Sequence, residues 1–117
     1  MNERPTHRST FEVLEIAIQG IASLRAVVGR IQRCDRELGE QVRNALSSVA
    51  LNIAEGNQSQ GGHRTARFST AAGSNGEARA ALRVAVAWGY VRAADVAEGE
   101  QLLDRVAAML HRLGARR

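Results

Sequence analysis

Val96, Gly99, Leu103, Val106, Leu110 and Leu113 stand alternately three and four residues apart. An α-helix gathers that spacing onto one face, whereas a strand scatters it over two. The same rhythm runs through Leu14, Ala17, Ile21, Leu24, Val28 and Ile31 and through Phe68, Ala71, Asn75, Ala78, Leu82 and Ala85, and Leu38, Val42, Leu46, Val49 and Ile53 also follow at helical spacing. No convincing strand pattern interrupts it. With 117 residues, 44% hydrophobic but only 3% aromatic and a single proline, the chain has one domain's worth of core, built from Ala, Val, Leu and Ile. Such a core favours closely packed helices, and short connections between four of them predict an all-α, antiparallel up-down-up-down four-helix bundle.

The punctuation places the elements. A flexible tail is expected over 1–9, and the first helix over about 10–32, where Ser9 can cap and Glu12 can complete a capping box. Gly20 and Gly29 lie off its apolar stripe and mark candidate close approaches. Asp35 and Gly39 both offer a start for the second helix, which runs to about residue 55, and Gly56 suits a left-handed position after its end. The third helix, about 61–88, has a stripe of mostly small residues. Its "AAGSNGEA" carries two glycines and a Ser74 to Glu77 spacing that mimics a capping box, so a break near Ser74 competes with a continuous helix. Gly89 fits a cap after Trp88, the last helix spans about 94–113, and a basic tail follows over 114–117.

The polar, glycine-rich stretch "NIAEGNQSQGGHR" (52–64) poses the question of chemistry most directly. A phosphate-binding loop needs a preceding strand and a lysine, and this stretch has neither. Ser59 does not stand in the G-x-S-x-G turn of a nucleophile elbow. His7, His63 and His111 have no partner at i+4 with which to share a metal, and no inward Glu-x-x-His pair suggests a di-metal bundle. No catalytic residue, metal or cofactor is expected. Glu55 and Glu77, set among small residues, are the only acids placed to act as a general base; capping or accepting bonds from nearby Ser and Asn is the favoured role. The single cysteine, Cys34, cannot form an internal disulfide and reads as a buried or half-buried structural thiol. No run of about 18 apolar residues spans a membrane, and the N-terminus lacks a signal-peptide core, so a cytoplasmic protein without membrane partners is expected.

All sixteen basic residues are arginine. GC-rich coding accounts for this together with the abundant alanine and glycine, and composition favours that explanation over selection for arginine's phosphate-matching fork. The distribution says more. Residues 1–56 carry seven arginines and seven acids, and residues 95–117 carry four of each. The excess of +4 lies within 57–94, where Arg64, Arg67, Arg79, Arg83 and Arg92 face Glu77 alone. Arg64 and Arg67, with His63, open the third helix, where free N–H groups can also attract an anion. On the helical wheel Arg79 and Arg83 share an edge with Ala72 and Gly76 while Arg67 lies toward the other flank, so one subunit has no single basic face.

"SSVALNIAEG" (47–56), preceded by Gln41, Arg43 and Ala45 and followed by "RF" and "AAGSNGEA", resembles the bacterial four-helix bundle protein family. That family includes proteins encoded in intervening sequences of large-subunit ribosomal RNA genes and the accessory variability proteins of diversity-generating retroelements. The resemblance covers about residues 10–113. It departs where the family typically reads G-S-L-A-E-L and this chain has Asn75, Gly76 and Ala78. The resemblance implies that the third helix runs unbroken, and that Asn52, Glu55, Gly56, Gly73, Ser74 and Glu77 define the fold at a close contact of the second and third helices. It further implies a ring-shaped homo-oligomer, a pentamer where known, with nucleic acid and a reverse transcriptase as partners in the retroelement branch.

Two functions are therefore expected to compete. The leading one is a non-enzymatic homo-oligomer whose Arg64, Arg67, Arg79, Arg83 and Arg92 contact RNA or DNA phosphates without reading sequence. The other is a protein-interaction scaffold with no nucleic-acid role.

Overall fold

The computed structural model describes residues 7–115, with side chains from Thr10 onward. Four α-helices account for nearly all of them: α1 His7–Cys34, α2 Arg36–Asn57, α3 Gly61–Ala87 and α4 Ala93–Arg112. No strand occurs among the described residues. Helix α1 already runs at His7, so Ser9 lies inside it rather than at its cap, and the rest of the expected tail, 1–6, lies outside the described residues. Arg116 and Arg117 of the expected C-terminal tail also lie outside it.

Asp35 alone separates α1 from α2. Its extended backbone (φ −153°) and its Oδ1, which accepts from the Leu38 N–H at 3.1 Å, make it the N-cap and decide between the two candidate starts. Helix α2 does not end at Gly56. It continues to Asn57, and Gly56 has no left-handed backbone; that conformation belongs to Gly61 (φ 57°), Gly89 (φ 79°) and Gly114 (φ 94°). Helix α3 passes through Ser74 without a break, because Ser74 and Asn75 are buried on its packed face and their side chains bond to neighbouring helices rather than to a cap. Helix α4 starts at Ala93, where the Arg92 backbone N–H and guanidinium both donate to the Asp95 carboxylate and the Asp95 N–H donates to the Arg92 carbonyl.

Helix α1 packs on α2 and α4, and α3 packs on the same two, giving a body 50 × 22 × 20 Å. The core has two apolar halves bridged by Ile21. One holds Leu24, Ile31, Val42, Leu46, Leu82 and Val96, and the other Val13, Ile53, Phe68, Val106 and Leu110. Each fully buried aliphatic or aromatic side chain stabilises the fold by about 1.5–3 kcal/mol, and Phe68 is the only aromatic ring among them.

The apolar stripes of α3 and α4 are buried almost as the spacing predicts. On α1 the buried face turns toward Val13, Ile16, Gly20 and Val27, leaving Leu14 and Ile21 half-buried. A helix wedged between two neighbours buries a band wider than one line. Neither Gly20 nor Gly29 marks a tight approach, since a Cβ at Gly20 would stand at ordinary contact distance, 3.4 Å from Leu103 Cδ2, and one at Gly29 would meet only the Arg33 side chain. Cys34 is exposed, not buried, being the last residue of α1, next to the one-residue turn at Asp35. Among the described residues no helix is long and apolar enough to cross a membrane.

Candidate nucleic-acid interface

Four of the five central arginines are divided among different partners. Arg64 lays its guanidinium over the Phe68 ring, 4.9 Å from the centroid, so the start of α3 holds this cation on its own side. Arg67 Nε reaches across to Glu55 Oε2 of α2 at 3.0 Å, while Arg79 Nη2 reaches the other way, to Asp104 Oδ1 of α4 at 3.4 Å. The two flanks foreseen on the helical wheel are real.

Arg92 bonds Asp95 through its backbone N–H at 2.9 Å and its guanidinium at 3.2 Å, and Arg30 adds a contact at 3.5 Å. The N–H and guanidinium bonds from Arg92, with the charges of Arg92 and Arg30, hold the Asp95 carboxyl below its usual 3.8, against the opposing effect of desolvation. Bonding and attraction to Asp95 raise Arg92 correspondingly. Of these five, Arg83 alone is exposed without an intramolecular partner among the described residues. His63 is exposed at the start of α3.

The arginines that share Arg83's condition were passed over by the charge count. Arg25, Arg33, Arg43, Arg105 and Arg112 are exposed and unpaired among the described residues. They come from segments whose net charge is zero, so a sum over residues hides them; the acids that balance the sum are engaged elsewhere or lie on other faces.

Of the residues expected to define the fold, Gly56, Ser74 and Glu55 make contacts between α2 and α3, and Asn52 bonds to Ser48 beside them. Ser48 and Ser74 join their hydroxyls at 2.7 Å, and Asn52 Nδ2 donates to the Ser48 carbonyl at 2.9 Å and to its hydroxyl at 3.1 Å. Gly56 lies against Phe68, where a Cβ would overlap the ring. Glu55 is occupied by Arg67, and Glu77 is exposed without a partner. Gly73 has nothing within 4 Å of where its Cβ would be, so no contact inside this chain accounts for it. Gln41, Ser48, Ser74 and Glu77 line an open groove of about 670 Å³. Its serine hydroxyls are bonded to each other rather than to a base. Among the described residues no three His, Cys, Asp or Glu side chains are grouped to hold a metal ion.

A family model, 23S rRNA-intervening sequence protein, matches residues 10–112. The chain belongs to this family. The match spans all four helices of the fold apart from the first turn of α1. The matched span includes the α2–α3 contact and Asn75 and Gly76. No curated protein and no solved structure matches the chain.

Proposed function

We propose that this member of the 23S rRNA-intervening sequence protein family is a non-enzymatic, homo-oligomeric, nucleic-acid-binding protein of the cytoplasm. Its arginines contact RNA or DNA phosphates without reading sequence. The observation that carries the reading is the charge: +4 overall, with Arg83 and other arginines lacking any acid to pair with. Arg67, Arg79 and Arg92 remain available as well, since exposed ion pairs are worth only about 0–1 kcal/mol and exchange readily for phosphate, and Arg64 is held by the Phe68 ring and by no acid.

The helices in this reading run antiparallel, up-down-up-down. Connections of one to five residues between helices of 20 to 28 residues, in a body only 22 × 20 Å across, support reversal at each turn. The bundles assemble into a ring, a pentamer by family likeness. Phe11, Ile18, Leu51, Val84 and Trp88 support association, being 45–68% exposed on the single subunit. A charge of +4 on each of about five copies sums to roughly +20, strong enough to steer a polyanion. If this chain is of the retroelement branch, a reverse transcriptase is its protein partner.

The test is a filter-binding titration with RNA and with DNA. Association that falls steeply with salt supports the reading, and no association with either at low salt rejects it. The exposed apolar residues also favour the second reading, a scaffold without a nucleic-acid role. Charge reversal of Arg79 and Arg83 separates the two: lost binding with an unchanged oligomer mass rejects scaffolding alone, whereas a disturbed mass with no binding to lose supports it.

A further inference from the structure

Between α1 and α2 lies an open groove of about 240 Å³ with Ile21, Val28 and Leu46 as apolar lining. Arg25 of α1 and Arg43 of α2 also line it, together with Gln32 and Ser47. No acid is among the lining residues.

Both arginines are exposed, and neither has a hydrogen-bond or ionic partner among the described residues. The positions one turn away explain why. Around Arg25 stand Ile21, Ala22, Val28 and Gly29, and around Arg43 stand Gly39, Glu40, Leu46 and Ser47. Glu40 is the only acid there, and Arg36 already holds it at 3.2 Å.

Two cations line one groove and no acid lines it with them, so their charge is uncompensated there. A bound anion would compensate it. Two guanidinium forks, a hydroxyl and a carboxamide offer many donors, and guanidinium matches phosphate in a bidentate manner that ammonium does not. The open groove lets a chain enter and leave, and the apolar wall can cover the sugar beside a bound phosphate.

We infer that the Arg25–Arg43 groove is a phosphate-binding site that clasps a backbone phosphodiester of single-stranded nucleic acid. This rests on the nucleic-acid reading above but moves the principal contact from α3 to the α1–α2 seam. The group recognised is the phosphate, which the two guanidinium forks match in charge and geometry.

The experiment measures the affinity of a fluorescent single-stranded RNA for the full chain by anisotropy across a salt series. The wild type is compared with R25Q/R43Q and with R83Q/R105Q, which removes the same charge from exposed, unpaired positions elsewhere. Loss of about tenfold or more in R25Q/R43Q, with a salt slope shallower by about 1, and a smaller loss in R83Q/R105Q is the expected result. R25K/R43K keeps the charge without the forks and should fall between wild type and R25Q/R43Q; it also serves as the test if R25Q/R43Q does not fold.

Equal losses in the two glutamine doubles overturn the groove while leaving the nucleic-acid reading intact. Binding by the wild type that free inorganic phosphate displaces at concentrations well below those at which chloride does would assign the site to a free phosphate instead, and overturn the backbone assignment. Unchanged affinity with an altered oligomer mass in R25Q/R43Q would make the groove a contact between copies. Absence of RNA binding by the wild type at low salt overturns both this site and the reading on which it rests.

Discussion

Gly56 of α2 and Phe68 of α3 share one space: the Phe68 ring, wholly buried, occupies the place that a Cβ on residue 56 would need. The close approach of these helices is set there, by a missing side chain on one and the largest core side chain on the other. The Ser48–Ser74 bond further along the same seam fixes their register.

Replacing Gly56 with alanine should therefore destabilise the protein by about 1–3 kcal/mol, as overpacking does, in spite of a helix-propensity gain of roughly 1 kcal/mol. Gly73→Ala on the neighbouring helix, where the added methyl meets nothing, should gain up to about 1 kcal/mol. Urea denaturation of the two variants reads out the opposite signs. A stabilised Gly56→Ala would mean that Phe68 can move aside.

Asn75 is buried between the two halves of the core, donating from Nδ2 to the Leu103 carbonyl at 2.9 Å, while its Oδ1 has no partner. An unpartnered buried acceptor costs about 1–3 kcal/mol. Leucine at this position removes the polar atoms altogether, and the adjacent cavity of about 50 Å³, lined by Ala72, Gly76 and Ala107, takes up part of the added volume. Asn75→Leu should raise the midpoint of thermal unfolding by about 4–8 °C for each kcal/mol gained. A lower midpoint would show that the Leu103 bond outweighs the unpaired oxygen.

The capping carboxylate Asp95 gives stability a defined acid dependence. Its folded carboxyl titrates below the unfolded value, mainly through bonds from Arg92. Its contribution is thus complete above about pH 4 and is lost as the pH falls through the lower folded value. Stability of the Asp95→Asn variant should decline less between pH 4 and the acid limit than that of the wild type. Parallel declines would show that other carboxylates carry the acid transition.

Cys34 is the only cysteine and is exposed at the end of α1. A thiol reagent should titrate one group per folded chain without denaturant. Reaction that requires unfolding would show that assembly covers this end of α1.

The α3 segment shows how much was legible before any tertiary structure. Phe68, Ala71, Ala78, Leu82 and Ala85 all face the core as their spacing requires, since period and burial are local consequences of the helix. The continuity of the helix past Ser74 was not legible from the pattern. Its glycines and apparent cap read locally as a turn, and the competing bonds from Ser74 to Ser48 and from Asn75 to Leu103 come from residues 26 and 28 positions away.

The candidate interface divides the same way. The sequence supplied the number and kind of cations, and even the separation of Arg67 from Arg79, because a helical wheel is a local property. Whether an arginine is occupied depends on acids brought from other helices: Glu55 for Arg67 and Asp104 for Arg79. Arg25 and Arg43 were overlooked because they balance arithmetically against acids that are not beside them.

By itself, then, the sequence determined four helices, their buried faces and a surplus of arginine, since each follows from a residue and its near neighbours along the chain. Tertiary structure decided why Gly56 must be glycine, that Asn75 is buried with an unpaired oxygen, and which arginines are left without a counterion. Those properties depend on distances between helices, and a counterion or a clash exists only once two helices have been brought together.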